Sequence, residues 1–171
     1  PSLEAQISNM ADEIAYNHHD LDDGLRSGLI TIEEILGLKA AENAAKEVLS
    51  LKSPQLMDKS RVNSEIIRRM INSQIEDLVH QTKENVLSSA VTSLADVRSS
   101  SNQIVSFSPK TKENVRELKS FLMRRLYKNP KVRALTDAAE IVIEDLFSFF
   151  LNEENAEDKD PLKHLRSVAD K

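Results

Sequence analysis

Along most of this chain hydrophobic positions recur every three or four residues, a spacing that predicts a string of amphipathic helices. Pro1-Ser2 opens the first, expected to run to about Asp23. Leu3, Ile7, Met10, Ile14, His18 and Leu21 form its apolar stripe, with a histidine among them. Gly24 and Gly28 bracket a turn. Thr31-Ile32-Glu33-Glu34 reads as a capping box, the Thr31 hydroxyl meeting the third helical N–H while Glu34 reaches back. The helix it opens is expected to reach about Leu51, with Gly37 as its weak point and Ser53-Pro54 as its end.

The longest pattern runs from about Lys59 to Ser88 through Val62, Ile66, Ile67, Met70, Ile71, Ile75, Leu78, Val79, Val86 and Leu87. At ~1.5 Å per residue it predicts a rod of about 45 Å, long enough to be the spine of a domain. Ser93 to Ser99 reads as a short helical piece, and "IVSF", Ile104 to Phe107, alternates like a strand. Ser108-Pro109 begins another helix, with a capping hydroxyl and a proline at the first position, continuing to about Lys128. Asn129-Pro130 restarts the chain into a last long helix carrying Leu135, Ala138, Ile141, Val142, Leu146 and Phe149, ending near Asn152. The reading is therefore an all-α fold: a bundle of about six helices with at most one short extended segment. It divides into residues 1–151 and an acidic flexible tail, 152–171, with a short helical turn from Pro161.

Composition narrows this picture. The chain has 171 residues, 40% of them hydrophobic, enough to build a core in one domain. Only three glycines and five prolines interrupt it, which suits long helices. A net charge of −5 argues against a dedicated nucleic-acid module, leaving local basic patches open. With no cysteine there are neither disulfides nor thiolate metal sites. No apolar run approaches the ~20 residues of a membrane span, and no signal-like segment opens the chain, so a cytoplasmic location is expected. The start at Pro1, without methionine and almost directly in a helix, suggests a piece of a longer protein.

The candidate chemistry lies in "NMADEIAYNHHDLDDGLRSGL", Asn9 to Leu29. On a helix, Asp12, Tyr16, His19 and Asp23 form one polar stripe opposite Ile7, Ile14 and Leu21. A carboxylate one turn from a phenol can share a metal and a sugar or base between them. A solvated helix face gives the same spacing. His18 and His19 point about 100° apart and cannot both join Asp12. On the apolar stripe His18 reads as a packed core histidine, and a tight metal site needs ligands from elsewhere.

Resemblance decides between these readings. "LEAQISNMADEIAYNHHDLDDGLRSGLI", Leu3 to Ile30, closely resembles the segment that carries the last metal-binding aspartate of deoxyguanosine triphosphate triphosphohydrolases and their bacterial relatives, which are HD-domain phosphohydrolases. "RVNSEIIRRMINSQIEDLV" (Arg61 to Val79), "IVSFSPKTKENVRELKSFLMRRLYKNPKV" (Ile104 to Val132) and the final helix match in order, through about Leu151.

The resemblance implies hydrolysis of a deoxynucleoside triphosphate to deoxynucleoside and tripolyphosphate, with one divalent metal, Mn or Mg. It implies that Asp12 is the distant metal ligand and Tyr16 the contact to the deoxyribose. His19-Asp20 does not correspond to the family's His-Asp pair. The other ligands and the catalytic histidine belong to segments upstream of those seen here, so this chain reads as a C-terminal portion with no catalytic residue of its own, inactive alone. Arg61, Arg69, Lys128 and Arg133, in or beside matched segments, are the first candidates for phosphate or regulatory-nucleotide contacts. Arg68, Arg124, Arg125 and Lys131 rank behind them. Single-stranded nucleic acid is a further ligand for such basic clusters, and a homo-oligomer is expected. The alternative is a helical regulatory or interaction module that binds nucleotide or nucleic acid without catalysis.

Overall fold

A computed structural model describes residues 1–50 and 58–151. Among these residues the chain is all-α, with seven α-helices and no strand. They are α1 (Leu3–Arg26), α2 (Ile32–Leu36), α3 (Lys39–Leu49), α4 (Lys59–Ser89), α5 (Leu94–Ser99), α6 (Pro109–Leu122) and α7 (Pro130–Leu151). The acidic tail from Asn152, the turn at Pro161 and the Ser53-Pro54 break lie outside the described residues.

Local chemistry sets most boundaries. The Ser2 side chain accepts from Ala5 N and begins α1, while Ser93 and Asp96 form a capping box at α5. At α2 both halves of the expected box are made: Thr31 Oγ1 accepts from Glu34 N, and Glu34 accepts from Thr31 N at 2.9 Å. Ser108 caps α6 with Pro109 at its first position.

Two expectations for the first half change. α1 continues past Gly24, which is buried in its last turn because a Cβ there would come within 2.4 Å of Ile30 Cδ1. The turn falls instead at Ser27 and Gly28, the latter at φ +70°, a conformation natural to glycine. The single helix from Thr31 is two: α2 stops at Gly37, and Leu38 leaves helical geometry to precede α3. Glycine's weak helix propensity makes that break inexpensive, and it turns Ile35 and Leu38 both inward.

The chain forms two compact units, residues 1–126 and 127–171. In the first, α4 packs against α3 and α1, α6 against the same two helices, and α2 against α3. Met10, Ile14, Leu78, Val105, Phe107 and Val115 make one buried cluster joining α1, α4, α6 and the segment before α6. On α4 the buried face is Ile66, Ile67, Met70, Gln74 and Leu78. Ile75 and Val79 lie about 100° or more around the helix from Gln74 and are exposed, as is Leu87, contrary to the single stripe expected.

The "IVSF" segment is extended but pairs with no strand, and its burial does not alternate: Ile104, Val105, Ser106 and Phe107 are all buried. Side chains satisfy its backbone instead of a sheet partner. Gln6 Oε1 accepts from the N–H of both Ile104 and Val105 at 3.1 Å, and Asn85 Nδ2 donates to the Ile104 carbonyl at 2.8 Å. α6 runs at its end into a π turn, Met123–Tyr127.

In the second unit, α7 buries none of its residues, and Leu135, Ile141, Ile143, Phe147 and Phe150 are more than half exposed. Phe149 and Phe150 stack edge to face with centroids 5.4 Å apart. Among the described residues no helix is long and apolar enough to cross a membrane.

Candidate functional site

α1 owes its orientation to the arc it buries: Gln6, Met10, Ile14, Asn17, His18, Leu21 and Gly24. Gln6 and Asn17 displace Ile7 from that arc, so Ile7 is 50% exposed rather than part of the core stripe. Gln6 earns its inward place by feeding the two N–H groups of the 104–107 segment. With this arc turned inward, Asp12, Tyr16, His19 and Asp23 all face outward, as the spacing predicts.

Asp12 and Tyr16 stand one turn apart, about 6 Å along the axis. Tyr16 is 55% exposed. The side chains of Asp12, Tyr16, His19 and Asp23 make no hydrogen bond or ion pair with the described residues. This contrasts with the engaged Asp77 carboxylate on α4 and the ion-paired Glu13 on α1 itself. The stripe is thus held rigidly from behind while its donors and acceptors stay available at the surface.

His18 plays the packing role. It is 1% exposed, and its Nδ1–H donates to the Ile14 carbonyl at 2.8 Å. Nε2 is buried without a partner in the fold, as is Asn17 Nδ2. Burial pushes the imidazole below its ordinary pKa; the bond to Ile14 opposes this and His19 nearby adds to it. His18 is therefore a neutral core residue.

A divalent ion needs several oxygen or nitrogen donors at once. Among the described residues no group of three or more histidine, aspartate or glutamate side chains converges to hold one. Asp12 fits the part of a single ligand, an unengaged exposed carboxylate on a rigid helix.

The four ranked cations are not gathered around Asp12. Arg61 is exposed on the first turn of α4. Arg69 binds Glu65 through Nε at 3.0 Å and Glu47 through Nη1, tying α4 to α3. Together Arg68 and Arg69 hold the Glu65 carboxyl below the usual carboxylate range. Lys128 and Arg133 lie in the second unit, exposed. A cavity of about 730 Å³ between α3, α4 and α6 includes Arg69 in its wall, but its carboxylates (Glu42, Glu47, Glu76, Asp77, Glu113) outnumber its cations (Lys39, Arg69, Lys110). Asp12 and Tyr16 do not line it.

The reading from sequence passed over one basic row. Lys112, Arg116 and Lys119 stand at i, i+4 and i+7 on α6 beside a smaller hollow against α1, and Lys119 bonds Glu13 at 2.8 Å. Their spacing was visible; the hollow they face was not.

Residues 105–170 match the phosphohydrolase-associated domain. The chain is also homologous over most of its length to proteins described as deoxyguanosinetriphosphate triphosphohydrolase-like. That of Thiobacillus denitrificans is 43% identical over 99% of this chain and 46% of its own length. Those of an Azoarcus species and of Ralstonia nicotianae are 41% and 42% identical over 88% and 90% of this chain, in each case 39% of the relative. The chain thus spans less than half the length of these relatives.

Proposed function

We propose that this chain is part of a metal-dependent deoxynucleoside triphosphate triphosphohydrolase, in which Asp12 is one metal ligand and Tyr16 contacts the sugar of the substrate. The observation that carries this reading is the exposed and unengaged Asp12–Tyr16 pair on one face of α1, in a chain homologous to triphosphohydrolase-like proteins.

The chain's own residues do limited but specific work. The Asp12 carboxylate contributes one anionic oxygen ligand, oriented by a helix whose opposite face is buried. Tyr16 offers a flat ring for a deoxyribose and a hydroxyl for one hydrogen bond. A divalent ion, Mn or Mg, when bound supplies Lewis-acid polarisation of the substrate phosphate. One carboxylate cannot hold it, so the other ligands come from a further polypeptide segment and the chain alone has no triphosphohydrolase activity. Arg61, Lys128 and Arg133 are exposed cations suited to phosphate or a regulatory nucleotide; Arg69 must first leave Glu47 and Glu65. The protein works in the cytoplasm as a homo-oligomer.

The test uses the longer protein containing this chain, with Mn²⁺ or Mg²⁺ and each deoxynucleoside triphosphate, resolving products by chromatography. Wild type is expected to release deoxynucleoside and tripolyphosphate. Asp12→Ala is expected to lose activity by on the order of 100-fold or more, with weakened metal binding. Tyr16→Ala is expected to raise KM, whereas Tyr16→Phe retains most of the ring contact. Absence of turnover with every substrate and mixture would favour the non-catalytic regulatory module.

A further inference from the structure

The hollow beside α6 has a composition that the proposed triphosphohydrolase role does not use. It measures about 330 Å³, near the lower limit of small-molecule sites. Its floor is apolar, made by Met10, Phe107 and Val115, and its rim carries Lys112, Arg116 and Lys119. These three cations fall within about 60° of one another around α6. A second hollow of about 510 Å³ shares Gln103, Ser106 and Lys112 with the first and continues into hydroxyls and amides of α4 and the 100–106 loop.

Charge pairing singles out this row. The chain is net negative, and Lys39, Lys46, Arg68, Arg69 and Arg125 each bind a carboxylate. Lys112 and Arg116 have no such partner among the described residues. Only Lys119 is compensated, by Glu13. Two uncompensated cations at the mouth of a concave apolar hollow create a local positive potential where an anion is partly desolvated. Beside them, the exposed Gln103 amide makes no bond within the described residues, and Ser106 Oγ, which accepts from Asn85 Nδ2 at 3.1 Å, still has its proton to donate. Glu13 follows Asp12 by about 100° around α1, so the hollow and the Asp12–Tyr16 stripe open in different directions.

We infer that this groove binds a phosphate ester of nucleotide size, its phosphates on Lys112 and Arg116 and its uncharged polar part on Gln103 and Ser106. The cations supply charge-assisted hydrogen bonds, and the apolar floor removes water from one side of them. Glu13 opposes the anion and holds Lys119 back, so it limits affinity. The site stands independently of the role proposed for Asp12.

The test is amide chemical-shift mapping of the 171-residue chain with deoxyguanosine triphosphate in EDTA. Shifts are expected to cluster at Gln103, Ser106, Lys112 and Arg116 and to persist in Asp12→Ala. Lys112→Gln combined with Arg116→Gln is expected to weaken binding by about tenfold or more, and Glu13→Gln to tighten it several-fold. All three substituted side chains lie at the surface or its edge, and the same spectra report whether each variant is folded. Shifts confined to other residues would overturn the inference, as would equal affinity for deoxyguanosine without phosphate or affinities unmoved by the charge changes. Tighter binding of an oligothymidylate of about fifteen nucleotides than of the mononucleotide would assign the groove to single-stranded nucleic acid instead.

Discussion

Asp77, midway along α4, grips Ser108 with both carboxylate oxygens: Oδ2 accepts from the Ser108 N–H at 2.9 Å and Oδ1 from its hydroxyl at 2.6 Å. Ser108 Oγ in turn accepts from Thr111 N and caps α6. One side chain thus anchors the start of α6 to α4 and positions both the 104–107 segment before it and the basic row after it.

Asp77→Ala removes two charge-assisted hydrogen bonds at a partly buried helix start. It is expected to lower unfolding free energy by about 2–3 kcal/mol, measured by urea denaturation. Asp12→Ala, which removes no bond made within the described residues, is expected to change stability by no more than about 0.5 kcal/mol. Equal effects of the two substitutions would contradict the structural assignment of Asp77.

Gly24→Ala sets two effects against each other. Alanine improves helix propensity by about 1 kcal/mol, but its Cβ meets the buried Ile30 Cδ1 at 2.4 Å. Overpacking of this kind costs about 1–3 kcal/mol, so a net loss is expected. Ile30→Val deletes the clashing methyl, and the double variant is expected to be more stable than the sum of the single changes allows, a coupling that a double-mutant cycle measures.

His18 makes stability fall on mild acidification. Its folded pKa lies below the ordinary 6.5, so below about that pH the unfolded chain takes up a proton that the folded core resists. The contribution is complete above the unfolded value and is lost as pH falls toward the folded one. Denaturation midpoints for wild type are expected to drop between pH 7 and 5, and His18→Gln to flatten that slope.

Removing the Gln6 carboxamide tests the support behind the candidate site. Gln6→Ala leaves the Ile104 and Val105 N–H groups buried without acceptors and is expected to cost about 2–4 kcal/mol. Hydrogen exchange at those two amides is expected to accelerate before that of the α4 core.

The sequence by itself determined the helices and their starts, because caps and 3.6-residue periodicity act over a few residues. Thr31 with Glu34, Ser108 with Pro109, and the outward Asp12–Tyr16 row were all legible for that reason. Gly37 was recognisable as a weak point, although only packing of Ile35 and Leu38 made it a break. Tertiary structure decided what depends on distant partners. Gln6 is buried for the sake of amides nearly a hundred residues away, and the same bonds let the 104–107 segment stay extended with no sheet. Arg69 and Arg116 are both arginines on helix faces, yet one is neutralised by Glu47 and Glu65 while the other stands uncompensated over a hollow. Spacing along one helix cannot distinguish them, because the carboxylate that occupies a cation and the wall that makes a pocket are contributed by other helices.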